Sequence, residues 1–438
     1  MSHSVTITRT DRLTVFGRCV QLACFVFIVL DGSQAWSQPK EYSKESLTTL
    51  YKLNTSGWGD ADEQGNALKV RISEPSDDRL AELVRAFPKL EMLYLSGRDV
   101  TQPTVSPMGL RHIERLPALK SLWLLDTSFT DQRAEVVSRL TNLKDLYIVT
   151  GIRATAGMIT EKGIASLSHL KSLESLTVTL GFDDRKRTFG EQSPADDAIG
   201  AALLRTFPQL KRLAIGGPGV SSLTMRELET LTHLESLSMN YPLKISTADF
   251  RHVRNLTRLE EIRFSAHITD DWLAHLAPVK SLKRIGFGRN VTDAGMAHLA
   301  GLTNVEALRI ESEKITDKSL ASLQDMTKLR SLELYSPKID GSGFVHLGQL
   351  KQLQLLKLPR TGYRPEHVHH LARLTALKHL DVSGTPLNGT PLNQGDNWKS
   401  LGVLKDLKHL EVIEIELGPD ATQALEKMLP GCRVYYDD

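Results

Sequence analysis

Cysteine is scarce: the 438 residues contain three, Cys19, Cys24 and Cys432. That excludes a disulfide framework as the source of stability. Cys19 and Cys24 sit in an N-terminal segment expected to be removed, which leaves Cys432 alone. One-signed charge is also lacking. The 54 basic and 52 acidic residues give a net +2, so the balance points to neither a nucleic-acid nor a membrane surface. Composition excludes a disordered chain and a transmembrane bundle. The chain has no Walker loop, His-Glu-x-x-His, paired Cys-x-x-Cys or Gly-x-Ser-x-Gly element. Gly286-Phe287-Gly288 and Gly216-Gly217-Pro218-Gly219 are repeat loops without the rest of a dinucleotide fingerprint. The expectation is therefore no catalytic residue, no cofactor and no resident metal.

What the sequence does have is internal repetition. From Leu90 to Ile415 a frame of Leu, two residues, Leu, one residue, Leu returns about every 24 positions. Units starting at Leu302, Met326 and Leu350 show it consecutively. The central apolar pair falls at Leu93/Leu95, Leu122/Leu124, Leu146/Ile148, Leu176/Val178, Leu213/Ile215, Leu237/Met239 and Ile262/Phe264. It continues at Ile285/Phe287, Leu308/Ile310, Leu332/Leu334, Leu356/Leu358, Leu380/Val382 and Ile413/Ile415, with Val70/Ile72 as a divergent first copy. A period of two puts both members of a pair on one face of a short strand and turns the residue between them to the other. A turn follows, often Ile/Val-Thr-Asp as at Ile268, Val291 and Ile315. Its Thr or Asp suits a helix N-cap, and apolar residues at helical spacing such as Leu320 and Leu323 come next. One unit cannot bury its own apolar faces, so neighbours must stack.

This pattern resembles the leucine-rich-repeat family in its ribonuclease-inhibitor-like form, across nearly everything after Ala67. The resemblance implies an α/β solenoid, a horseshoe with a parallel sheet on the concave face and helices on the convex face. The Ile-Thr-Asp turn is similar to that of exported bacterial leucine-rich-repeat proteins and of F-box adaptors. One departure stands out: the Asn or Cys that many members place after the strand occurs here only as Asn290, with Thr127, Pro337, Thr361 and Thr385 at other copies. Without an Asn ladder, the loop backbones need other hydrogen-bond partners.

Arg9, Arg12 and Arg18 precede an apolar run from Cys19 to Leu30, followed by Ser33-Gln34-Ala35. This reads as a secretory signal peptide, with an uncleaved anchor as the alternative. The domain reading is 1–35 signal peptide, 36–66 N-terminal cap, 67–431 solenoid and 432–438 closing strand and tail. Within the cap, a short helix is expected around Glu45 to Leu53. Cys432 is read as a buried structural thiol.

Function in such a scaffold lies in residues that the frame does not require. The residue between each apolar pair supplies a column: Tyr94, Trp123, Tyr147, Thr177, Ala214, Ser238, Arg263, Gly286, Arg309, Glu333, Lys357, Asp381 and Glu414. The three aromatics are interface anchors or packing partners of one another. Arg263, Arg309, Glu333 and Lys357 orient a partner or form a solvated face. Insertions at Gly151–Ile159, Gly181–Asp196 and Gly384–Trp398 lengthen the segment after a strand and emerge on one edge, and the second presents Phe182 and Phe189. The histidines of Glu366-His367-Val368-His369-His370 place His367 and His370 on one helix face. His275, His298, His346 and His370 share one repeat position, so unit duplication explains them before metal binding does.

The functional expectation is a non-enzymatic, exported scaffold that binds another protein through the concave face and same-edge loops. No nucleic acid is expected as partner, and no lipid beyond an N-terminal anchor. An intracellular substrate-recognition adaptor, a structural envelope protein and an enzyme with a convergent carboxylate pair are the competing classes.

Overall fold

A computed structural model describes residues 42–53, 55–57, 61–96, 105–125, 129–151, 159–183, 188–189, 194–217, 219–240, 245–264, 268–362, 364, 367–384, 398–411, 425 and 427–435. The signal-peptide reading, Thr127, Thr385, Glu366, Ile413, Glu414 and Ile415 lie outside them, as do most residues of the three insertions. The chain divides into two compact units, Trp36–Ala266 and His267–Asp438 apart from the first 35 residues.

In the first unit, a helix over Lys44–Lys52 is capped by the Ser43 side chain, which accepts from the Ser46 N–H. Strand β1 (Thr55–Gly57) runs antiparallel to β2 (Lys69–Ser73). A parallel ladder then continues through β3 (Met92–Ser96), β4 (Ser121–Leu124), β5 (Asp145–Gly151) and β6 (Ser175–Asp183). β7 (Thr188–Phe189) turns back antiparallel on β6, and β8 (Arg212–Gly216), β9 (Ser236–Asn240) and β10 (Glu261–Phe264) complete the parallel series. The second unit is a parallel ladder of β11 (Arg284–Gly288), β12 (Ala307–Glu311), β13 (Ser331–Tyr335), β14 (Leu355–Lys357), β15 (His379–Asp381), β16 (His409–Glu411) and β17 (Arg433–Tyr435).

Both units are built as the α/β solenoid the repeats require. Twelve of the thirteen apolar pairs, and Val70/Ile72 with them, are buried beneath the sheet. The last pair is a correction, because β16 sets Leu410 against Leu380 and Val434. Leu404 and Leu407, both buried, reproduce the frame six and three residues upstream of Leu410 and hold that register against the second alternation around Ile413. Glu411, not Glu414, therefore takes the column position beside Asp381. Opposite the strands, several segments tighten from α-helix to 3₁₀-helix, among them Asp249–Asn255, Asp317–Leu323 and Ser342–Gln349. A repeat of this length leaves them about two turns, where the tighter helix is tolerated.

The missing Asn ladder is replaced by two sets of oxygens. Ser312 and Ser336, both buried, donate to the carbonyls of Val291 and Ile315 at 2.6 and 2.8 Å, and Thr361 donates to Leu358 O at 2.9 Å. The Ile-Thr-Asp turn supplies the second set. Its Ile or Val is buried, and its Thr is the N-cap: Thr292 and Thr316 accept from the Ala294 and Lys318 N–H at 3.2 and 3.3 Å, whereas Thr269 holds the position without a side-chain cap bond. Its Asp reaches the next repeat instead. Asp270 accepts from the Thr292 N–H and hydroxyl at 2.8 and 2.6 Å, and Asp293 does the same for Thr316 at 2.8 and 2.7 Å. Asp131 serves Thr160, and Asp77 serves Ser106. Each carboxylate thus satisfies orphan donors at a neighbouring helix start. At three of these contacts the close approach requires glycine three residues after the cap, since a Cβ on Gly109, Gly163 or Gly295 would strike the Asp of the preceding repeat, whereas beside Asp293 the position holds Ser319.

Candidate functional site

Parallel pairing in register brings each column residue beside its counterpart one strand away, about 4.8 Å distant. In the first unit this stacks Arg71, Tyr94, Trp123 and Tyr147. The Arg71 guanidinium lies 4.8 Å over the Tyr94 ring. Ring centroids are 5.4 Å apart between Tyr94 and Trp123, and 5.3 Å between Trp123 and Tyr147. Trp123 donates its indole N–H to Ser121 Oγ at 3.1 Å.

The structure corrects the exposure of one aromatic. Tyr147 is only 3% exposed, so it supports Trp123 from behind and offers no contact surface of its own. Its hydroxyl bonds to the Thr179 side chain, and burial pushes its phenol well above the ordinary value. Tyr94 and Trp123 remain half-buried and reach solvent. Burial raises the Tyr94 phenol too, against the field of Arg71. Beyond them the column shrinks to Thr177, Ala214 and Ser238, and Arg263 at its end is held by Glu261 at 2.5 Å.

In the second unit, Arg309, Glu333, Lys357, Asp381 and Glu411 occupy successive strands, followed by Tyr435. Arg309 pairs with Glu333 at 2.8 Å and with Glu311, and its guanidinium lies 5.0 Å over Tyr335. Burial disfavours its charge, yet the Glu311 hydrogen bond and the fields of Tyr335, Glu333 and Glu311 hold its pKa above the ordinary value. Lys357 makes no ion pair with a described residue. Asp381 is largely buried and accepts the Ser383 N–H at 2.9 Å. His379 Nε2 approaches Glu411 Oε1 at 3.0 Å, but at an angle that forms no hydrogen bond. Burial lowers the His379 pKa, with Lys357 and His409 adding to the effect against Glu411 and Asp381. The His409 ring packs between His379 and Tyr435.

The sequence-predicted residues thus fall into separate groups. Tyr94, Trp123 and Tyr147 form one ladder; Arg309, Glu333 and Lys357 follow one another in the other unit. Phe182 and Phe189 face each other across the β6–β7 hairpin as backbone partners, a pairing that the loop reading missed. Arg71, Glu311, Tyr335, His379, His409 and Tyr435 were also missed. All lie on the open sheet face, and all but Arg71 and Tyr435 flank the central column. The signal was there in the alternation, which turns the residues on either side of an apolar pair outward as well.

His367 and His370 stack at 6.0 Å, and His369 packs on His370 at 3.9 Å. Burial lowers the His370 pKa, and its neighbours His369, His367 and Arg373 lower it further. Among the described residues no group of three His, Cys, Asp or Glu side chains is arranged to hold a metal. Cys432 is half-buried rather than enclosed, and burial pushes its thiol up to about 11. A hollow lined by Leu404, Leu407, Met428 and Leu429 measures about 20 Å³, room for a water molecule and not for a substrate. No described helix is long and apolar enough to cross a membrane.

No model of a known family matches the chain, and no curated protein matches it. Solved structures do. An internalin from Listeria monocytogenes superposes with a TM-score of 0.51 at 19% identity, covering 90% of this chain and 94% of that one. A leucine-rich-repeat protein from Leptospira interrogans gives 0.46 at 17% identity, covering 85% and 90%. With the strand-per-repeat register, the first likeness identifies the fold as that of a leucine-rich-repeat solenoid.

Proposed function

We propose that this chain is an exported, non-enzymatic scaffold that binds another protein through the open face of its sheet and the loops beyond the strand ends. The observation that carries the reading is the Arg71–Tyr94–Trp123 ladder. The repeat frame is satisfied by the buried pairs beneath it and needs no aromatic above them. Large rings with few rotatable bonds, pre-stacked on a rigid sheet, lower the ordering cost of association. Arg263, Arg309, Glu333 and Lys357 then serve as polar contacts, and Phe182 and Phe189 add apolar ones. Tyr147 contributes by holding Trp123 in place.

Export rests on residues 1–35 as the leader, with 36–66 as cap, 67–431 as solenoid and 432–438 as closing strand and tail. The test of binding is affinity capture from the native envelope fraction, with mass spectrometry, on wild type and on Trp123→Ala and Tyr94→Ala. A partner lost by both variants, with unchanged circular dichroism, supports the reading. A partner set indifferent to both removes the aromatic ladder from the interface. Capture of intracellular substrates by a cytoplasmic chain would favour the adaptor class instead.

A further inference from the structure

One column on the edge where strands begin behaves differently in the two units. It holds the residue just before each strand, stacked by backbone hydrogen bonds from one repeat to the next. In the first unit the column reads Glu91, Lys120, Lys144, Glu174, Lys211, Glu235 and Glu260, so both signs are present, and two neighbouring pairs close: Lys120 meets Glu91 at 2.7 Å, and Lys211 meets Glu174 at 3.3 Å. Such a mixture of signs is what solubility alone asks of a surface.

From Arg330 onward in the second unit the column has no acidic member. The column runs Arg330, Gln354, Lys378 and Lys408, linked by N–H···O contacts of 2.8 Å at each step, and Arg433 bonds to Lys408 O at the same distance. The turns leading into these strands, residues 324–331, 348–355, 372–379, 402–409 and 430–433, carry eight exposed cations against two exposed carboxylates, Asp325 and Asp406. Lys378, Lys405, Lys408 and Arg330 make no ion pair with a described residue. Like charges on adjacent strands destabilise a sheet, and no carboxylate of the column flanks Lys378 and Lys408 as Glu91 and Glu174 flank Lys120 and Lys144.

We infer that this edge, from β13 to β17, docks an extended acidic segment of a protein partner. Lysines predominate, and these turns contain no Phe, Tyr or Trp on which a base might stack. Carboxylates laid along the edge would neutralise the uncompensated charge. The inference rests on the protein-binding reading above but uses a different surface from the aromatic ladder.

The test is fluorescence anisotropy of the full chain with a fluorescein-labelled oligoglutamate of about ten residues, long enough at ~3.3 Å per residue to cross five strands. Oligolysine and a single-stranded oligonucleotide of matched length serve as comparison probes. Wild type is expected to bind oligoglutamate and to lose affinity as salt rises. Lys378→Glu/Lys408→Glu is expected to bind about tenfold more weakly, because two modest surface attractions become repulsions. Lys162→Glu, an exposed change in the other unit, is expected to bind as wild type does. No binding beyond oligolysine, or equal binding by the double variant, overturns the inference. Tighter binding of the oligonucleotide overturns the acidic-peptide assignment. Trp123→Ala separates the two readings: oligoglutamate binding that survives it while partner capture is lost leaves both standing, and failure of either experiment alone strikes only its own surface.

Discussion

Trp123 and Tyr147 occupy the same column one strand apart, yet their depths give them different work. Removing the Trp123 ring forfeits two aromatic contacts of about 0.5–1.5 kcal/mol each, together with surface that a partner can reach. Removing the Tyr147 ring empties a buried site, a loss of about 3–5 kcal/mol by analogy with other large aromatic truncations. The expected outcome is that Tyr147→Ala lowers the urea midpoint more than Trp123→Ala, whereas Trp123→Ala reduces partner capture more. The reverse order in both measurements would show that the ladder is only a packing device. A single side chain in the turns is equally telling. Asp293→Ala leaves the Thr316 N–H and hydroxyl without their acceptor, at a cost of about 1–3 kcal/mol, readable by chemical denaturation. Gly295→Ala drives a methyl against the Asp270 carboxylate; a loss of stability is expected despite the better helix propensity of alanine.

At the scale of the element, the strands and their parallel stacking were legible, and the contacts between successive turns were not. A period of two identifies which residues lie beneath the sheet, and it did so for twelve pairs. It failed at β16 because Val412, Ile413 and Ile415 superimpose a second alternation on the frame, and only the burial of Leu404 and Leu407 decides between them. The Thr-Asp turn was visible as a helix start, but not that Asp faces the next repeat, because an acceptor and its donors 22 to 29 residues apart leave no local signature. The glycine three positions after the cap is a trace of that contact in three of the four repeats, at Gly109, Gly163 and Gly295, with Ser319 in the fourth. Side-chain depth was illegible for a similar reason: Tyr94 and Tyr147 hold equivalent positions in the frame, and neighbouring repeats alone bury one of them.

The C-terminal strands also carry a pH dependence. The folded pKa of His379 is depressed below the ordinary 6.5, first by burial, and that of His370 likewise. A depressed histidine is neutral when folded and binds a proton more readily when unfolded, so its contribution to stability is present above about 6.5 and is lost as pH falls through the folded pKa. The thermal midpoint is therefore expected to fall on acidification below 6.5 by more in wild type than in His379→Gln. Parallel curves for the two proteins would assign the sensitivity elsewhere.

For the whole molecule, the fold follows from stacking while the function follows from where the chain is delivered. Export and cysteine content are linked by a count. Cleavage near Ala35, as proposed, would remove Cys19 and Cys24 and leave Cys432 alone, so an exported chain would have one thiol and no means of closing an internal disulfide. In strong denaturant, a thiol reagent should titrate one group per chain, and the mass of the N-terminal peptide should begin close to Trp36. Without denaturant that group should react slowly at neutral pH, since burial holds it protonated with a pKa of about 11 and the thiolate is the reactive form. Three thiols with an intact N-terminus in a membrane fraction would instead identify an uncleaved anchor. The same count in a cytoplasmic fraction would remove export altogether, and with it the reason to search for the partner outside the cell.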